Sequence, residues 1–197
     1  MSPTIRLLNA GNVTLRLPDA SSRTLVRTMD VYGYTGMSQG GNPLFIPDAG
    51  GNFQFSTSGG SDVGAFQTPV AAFPALNWTN KASITNVNRS SPLELTWAPG
   101  PANTFMVITG TSATMDKPTV ATSFICTASA QAGRFTVPAD VLSKMVPAQV
   151  INLGGMSFGT GQLSLALYSN PQHSSGPGLD IVSALYFSMD GTTVGYQ

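Results

Sequence analysis

At 197 residues the chain is long enough to bury a sizeable core, as one large β-domain or as two smaller ones. Charged residues are 9%, against about 25% in an ordinary soluble domain, and the nine acidic and nine basic side chains cancel without clustering. That balance excludes the electrostatic footprint of a nucleic-acid or anionic-membrane binder, and 42% apolar residues exclude a disordered chain.

Apolar residues alternate with polar ones at period two along most of the chain, and helical periodicity is almost absent. "NVTLRL" sets Val13, Leu15 and Leu17 on one face of a strand and Thr14 and Arg16 on the other. A turn at "PDASS" leads into a second strand, "RTLVRTMDVYGY". "GGNFQFSTSGG" offers Phe53 and Phe55 between glycine pairs, and "DVGAFQTPVAAFPAL" is interrupted by Pro69 and Pro74. Proline cannot donate to a sheet ladder, so the latter run is an edge strand or a connection. The division between two portions is placed near residue 79, giving 1–79 as a β-rich N-terminal portion and 80–197 as the more regular half. The two are also compatible with one continuous domain.

In that second half "LELTWAP" alternates Leu93, Leu95 and Trp97 against Glu94 and Thr96, which assigns Trp97 to the core. "TFMVITG" is apolar on both faces, and "TSFICTA" puts Phe124, Cys126 and Ala128 on one face. "GRFTV", "GQLSLALYS" and "LDIVSALYFSM" follow, then a turn at Asp190-Gly191 and a last strand, "TTVGYQ". The single helical signal is "PADVLSKM" near 138–145, where Pro138 suits a first helical position and Val141, Leu142 and Met145 form an apolar stripe. Strands every ten residues or so, with turn signals between, predict an all-β antiparallel sandwich with one short helix.

The residues needed for most catalysis are scarce. A serine or cysteine nucleophile requires a nearby base, and the only histidine, His173, falls in "SNPQHSSGPG", which reads as an exposed loop. Cys126 is the only cysteine, so no bridge can close within the chain. Its alternating apolar neighbours predict a buried strand filler rather than a reactive thiol. One Cys and one His cannot form a closed zinc site. Asp48 and Asp62, in glycine-rich segments, are candidate calcium carboxylates, but their ordinary role is to hydrogen-bond the backbone of a turn. Glu94, the only glutamate, reads as an exposed strand position rather than half of a glycosidase pair. No phosphate loop or dinucleotide fingerprint occurs, so no metal or cofactor is expected.

The aromatics Trp78, Tyr32 and Tyr34 lie near turns and are candidates for stacking on a sugar ring. Their alternative role is closing the ends of the sandwich.

The order "WTNKASITNVNRSSPLELTWAPG", "FICTASAQAGRFTVPADVLSKM" and a final "VGYQ" resembles the C-terminal immunoglobulin-like modules of secreted acidobacterial proteins. "GGSDVGAF" resembles the segment that precedes them, so the likeness covers about residues 50–197. "LELTWAPGPANTFMVI" is more distantly similar to the early strands of fibronectin type III domains. The resemblance implies an exported bacterial protein with an Ig-like fold, a structural, adhesive or display role and no catalytic residues. "MSPTIRLLNAG" lacks the basic start and apolar stretch of a signal peptide, which departs from that expectation.

Three functions follow as expectations. The first is a non-enzymatic structural or adhesive module, secreted or on the cell surface, whose partners are other extracellular domains or copies of itself. The second is a carbohydrate-binding module that meets polysaccharide through exposed aromatics. The third is a subunit of a self-assembling filament or shell. None involves nucleic acid or insertion into a membrane.

Overall fold

The computed structural model describes residues 6–33, 46–47 and 49–197. In chain order the strands are β1 (Val13–Arg16), β2 (Ser22–Thr28), β3 (Val31–Gly33), β4 (Gly51–Thr57), β5 (Phe66–Ala72), β6 (Asn86–Val87), β7 (Leu93–Thr96), β8 (Phe105–Ala113) and β9 (Ala121–Ser129). They continue as β10 (Arg134–Val137), helix α1 (Ala139–Leu142), β11 (Val150–Leu153), β12 (Met156–Gly159), β13 (Gln162–Tyr168), β14 (Gln172–Gly176), β15 (Leu179–Ala184), β16 (Phe187–Thr193) and β17 (Gly195–Tyr196). The fold is therefore all-β with one short helix. Pairing among the described residues is antiparallel except where β17 runs parallel to β6.

The chain groups into two compact units: residues 1–74 with 171–186, and residues 75–170 with 187–197. The division thus falls between Pro74 and Ala75, and a later segment returns to the first unit.

The first unit is built on a five-stranded sheet in the order β3-β2-β1-β4-β5. Val13, Leu15 and Leu17 all point to its buried face, as alternation requires. They join Phe53, Val70, Ala72 and Ala184 there, and Phe73 packs edge-on against Tyr186 at 4.7 Å. Pro69 lies in β5, an edge strand, where its missing N–H costs no ladder bond. "RTLVRTMDVYGY" is not one strand but a hairpin. Met29 and Asp30 both have positive φ (50° and 63°) and form a two-residue turn between β2 and β3. The turn was hidden because it uses Met-Asp in place of the usual Asn-Gly. An Arg27–Asp30 ion pair at 2.9 Å spans it.

The second unit holds a four-stranded sheet, β16-β13-β8-β9, and the smaller pairs β10-β7, β11-β12 and β17-β6. Met106 and Ile108 from β8 and Leu163 and Leu165 from β13 are fully buried, as are Leu95, Val137 and Leu142. Trp97 is 3% exposed and its indole N–H donates to the Ala130 carbonyl at 2.8 Å, so its place in the core is as expected. Gly110 is required by packing: a Cβ there would lie 2.1 Å from the Phe124 ring and 2.4 Å from the Tyr196 hydroxyl.

Several expectations need correcting. The helix covers only Ala139–Leu142, and Pro138 precedes it in extended geometry (ψ 149°) as its cap, although Leu142 and Met145 are buried as their spacing predicted. Asp190-Gly191 is not a turn but the middle of β16, paired with Leu165 and Ser164. The Asp190 carboxylate is held there by Lys81 Nζ at 2.5 Å and by the Gly191 N–H at 2.8 Å, which satisfies a turn-prone residue inside a strand. "LDIVSALYFSM" divides into β15 and β16, which belong to different units. "LGGMSFG" forms a hairpin about Gly154 and Gly155, both at positive φ.

Replacing Trp97 by Ala is expected to cost about 3 to 5 kcal/mol, from lost burial and a cavity. Thermal or denaturant unfolding of the variant checks this, and an unchanged midpoint would remove Trp97 from the core.

Candidate functional site

An open apolar cleft of about 470 Å³ lies within the first unit, lined chiefly by Val13, Leu25, Phe55, Phe66, Val182 and Leu185. Period two explains its make-up: Val13 opposes Leu25 and Thr57, and Phe55 opposes Thr68, so side chains on one face of the sheet converge. Tyr32 stands at the same cleft, its hydroxyl accepting the Ala10 N–H at 3.1 Å and donating to Asn9 Oδ1 at 3.2 Å. Thr68 Oγ1 is buried and has no hydrogen-bond partner. The cleft can hold an apolar body with a small polar group. Among the described lining residues Tyr32 is the only titratable one, and they hold no acid–base pair.

Of the three aromatics expected to stack on a sugar, Trp78 and Tyr32 are among the described residues. Trp78 is 6% exposed, bridges to Trp97 and donates its indole N–H to Asn80 Oδ1 at 2.9 Å. It is a packing residue, which corrects the expectation of an exposed platform. Tyr32 belongs to the other unit, and Tyr34 lies outside the described residues.

A different aromatic set comes together in the second unit. Phe105, Tyr168 and Phe187 occupy one cross-strand row, because Tyr168 pairs with both neighbours in register. Their rings stack at 5.4 Å with 9° between planes and at 5.3 Å with 19°. Both faces of Tyr168 and the inner faces of Phe105 and Phe187 are covered within the row, which suits apolar packing better than a sugar lying flat on Tyr168. On the same face Val107, Ile125 and Met189 add apolar surface, Ile125 being 70% and Met189 65% exposed. The remaining outward positions of these strands are Thr, Ser, Ala, Gln and Gly, and none is charged. Phe105 comes from more than sixty positions before Tyr168 and Phe187. The row's only sequence signal is that each aromatic falls out of phase with its strand's core residues.

His173 and Asp62 hold structural partners. His173 is on strand β14 rather than in a loop, which corrects its expected setting, and its Nδ1 is 2.9 Å from Ser183 Oγ on β15. Ser183 was overlooked because its register opposite His173 depends on a hairpin that begins inside a Gly/Pro/Ser run. Asp62 does not bind its own turn alone: it accepts the Asn9 N–H at 2.8 Å and pairs with Arg6. Its pKa is lowered, first by the Asn9 N–H; desolvation opposes this, and the charge of Arg6 adds a smaller lowering effect. Among the described residues no three His, Cys, Asp or Glu side chains gather as a metal site. Glu94 is exposed on β7, opposite Thr136.

Cys126 faces inward, opposite Ile108, but is half-buried rather than buried. Burial pushes its thiol up from the ordinary value. Labelling of the native protein by a thiol reagent is therefore expected to be slower than that of free cysteine at the same pH, and its rate to keep rising beyond the usual thiol pKa. Labelling as fast as a free thiol would contradict this placement.

No protein-family model, curated protein or solved structure matches the chain.

Proposed function

We propose that this protein is a non-enzymatic structural or adhesive β-protein of the cell exterior, and that its second unit serves as an Ig-like module that holds another protein. The observation that carries this reading is the uncharged outward face of the β16-β13-β8-β9 sheet, with its row of Phe105, Tyr168 and Phe187 and its exposed Ile125 and Met189. An apolar face without charges gives up little hydration when it is covered by a partner. The low overall charge, with Ser, Thr, Gly and Asn filling the surface, is in keeping with an exported module.

Strand order supports the Ig-like part of the reading. An Ig-type sandwich places its third, sixth and seventh strands in one sheet and its second and fifth in the other. Taking β6 as the first strand, β8, β13 and β16 are neighbours in the larger sheet, while β7 pairs with β10. β9 extends the larger sheet as the additional strand that follows the third. α1 and the β11-β12 hairpin lie in the connection between β10 and β13.

Beads coated with the chain are expected to adhere to cells of the source organism. Protease treatment of those cells should abolish the adhesion, and the Phe187→Ser, Met189→Ser double variant should weaken it severalfold while unfolding cooperatively near the parent temperature. Adhesion removed by stripping glycans instead would favour a carbohydrate-binding module. Absence of any adhesion would overturn the reading.

A further inference from the structure

Among the described residues β9 is an edge strand of the four-stranded sheet and pairs only with β8. Its hydrogen-bonding parity can be read from both ends of the ladder. The Ala130 N–H donates to the Thr104 carbonyl at 3.1 Å, and the Thr114 N–H to the Val120 carbonyl at 2.8 Å, both in the register of the β8-β9 pair. Even-numbered residues of β9 therefore face β8. The odd-numbered residues Ala121, Ser123, Ile125, Thr127 and Ser129 turn their N–H and C=O groups to the open edge. The side chains of the same residues are all exposed.

Proteins ordinarily guard such an edge with lysine, proline, a bulge or an inward-pointing charge. β9 carries none of these: no charged residue occurs from Pro118 to Gly133, no proline lies within the strand, and its pairing runs without a register shift from Ala121 to Ser129. The order of residues is also close to symmetric about Ile125. Ser123 mirrors Thr127, Phe124 mirrors Cys126, and Ala121 mirrors Ser129. A two-fold axis makes each residue meet its mirror, so any charge off the axis would face the residue across from it and any charge on the axis would face its own sign. An uncharged strand with near-mirror polarity fits a second copy of itself.

We infer that β9 pairs antiparallel with β9 of a second copy of this chain, about a two-fold axis at Ile125, joining the two four-stranded sheets edge to edge. In this register all five open-edge residues exchange hydrogen bonds with their mirror residues, roughly ten ladder bonds in total. Ile125 packs against Ile125 of the other copy on the outward face. Cys126 lies opposite Phe124, so the pairing forms no disulfide. The inference rests on reading the chain as a structural module and goes further by naming its partner and the strand that binds it.

Sedimentation of the full chain from micromolar to millimolar concentration tests it. A monomer–dimer equilibrium is expected, unaffected by reductant. Ile125→Lys, which sets like charges face to face on an exposed position, should weaken dimerisation by at least about tenfold. Thr127→Pro removes an open-edge N–H that β8 does not use, so the variant should fold and fail to dimerise. In hydrogen exchange the amides of Ser123, Ile125 and Thr127 should become protected as the dimer forms, while those of Phe124 and Cys126 are protected in both states. A chain that stays monomeric throughout, or a dimer unaffected by either substitution and lost on reduction, overturns the pairing. Monomers that still adhere to cells through Phe187 and Met189 would refute self-pairing alone. Dimers that adhere to no cell would keep the pairing and refute the adhesive reading.

Discussion

One strand carries more of the second unit than any other. β13 lies between β8 and β16, and its alternation sends Leu163, Leu165 and Leu167 into the core while Tyr168 joins the aromatic row outside. Because the side-chain period is two, a slip of one residue would exchange these sets, burying Gln162 and Ser164 and exposing three leucines. Core and surface are therefore fixed together. Gly110 on β8 tightens the register further, since Phe124 and the Tyr196 hydroxyl occupy the space a side chain would need. Tyr196 in turn donates to the Gln162 carbonyl at 3.1 Å, and burial raises its pKa, tying the last strand to the first residue of β13.

The shortage of charge has structural consequences beyond solubility. The one charged residue within the strands of the large sheet, Asp190, is given a partner, Lys81. Exposed pairs of this kind contribute little stability, so their effect is mainly to make a sheet position tolerable for a residue that prefers turns. The outward face of the large sheet and β9 carry no charged residues, so burying either would cost little desolvation of charge.

Local sequence fixed the strands and the directions of their side chains. Val13, Leu15 and Leu17, the β7 alternation ending at Trp97, and the inward set of Phe124, Cys126 and Ala128 were legible because burial on one face of a strand leaves a period of two in the chain. Turn chemistry was less reliable. Asp190-Gly191 has the composition of a turn and lies in a ladder, whereas Met29-Asp30 lacks that composition and forms one. In each case pairing with neighbouring strands outweighed the local preference of two residues.

The candidate sites were the least legible. Trp78 was singled out for its position near a turn, and its burial and its β-bridge to Trp97 depend on partners the local sequence does not specify. The row of Phe105, Tyr168 and Phe187, the cleft that includes Tyr32, and the contact between His173 and Ser183 each require residues that only strand register brings together. The sequence by itself determined the all-β class, the faces of most strands, the low charge and the scarcity of catalytic side chains, because these depend on composition and on neighbours one or two residues away. The tertiary structure decided the order of strands, the return of 171–186 to the first unit, the stacked aromatic face and the open edge of β9. Those features come from pairings between distant segments, and no local periodicity records which strand will lie beside which.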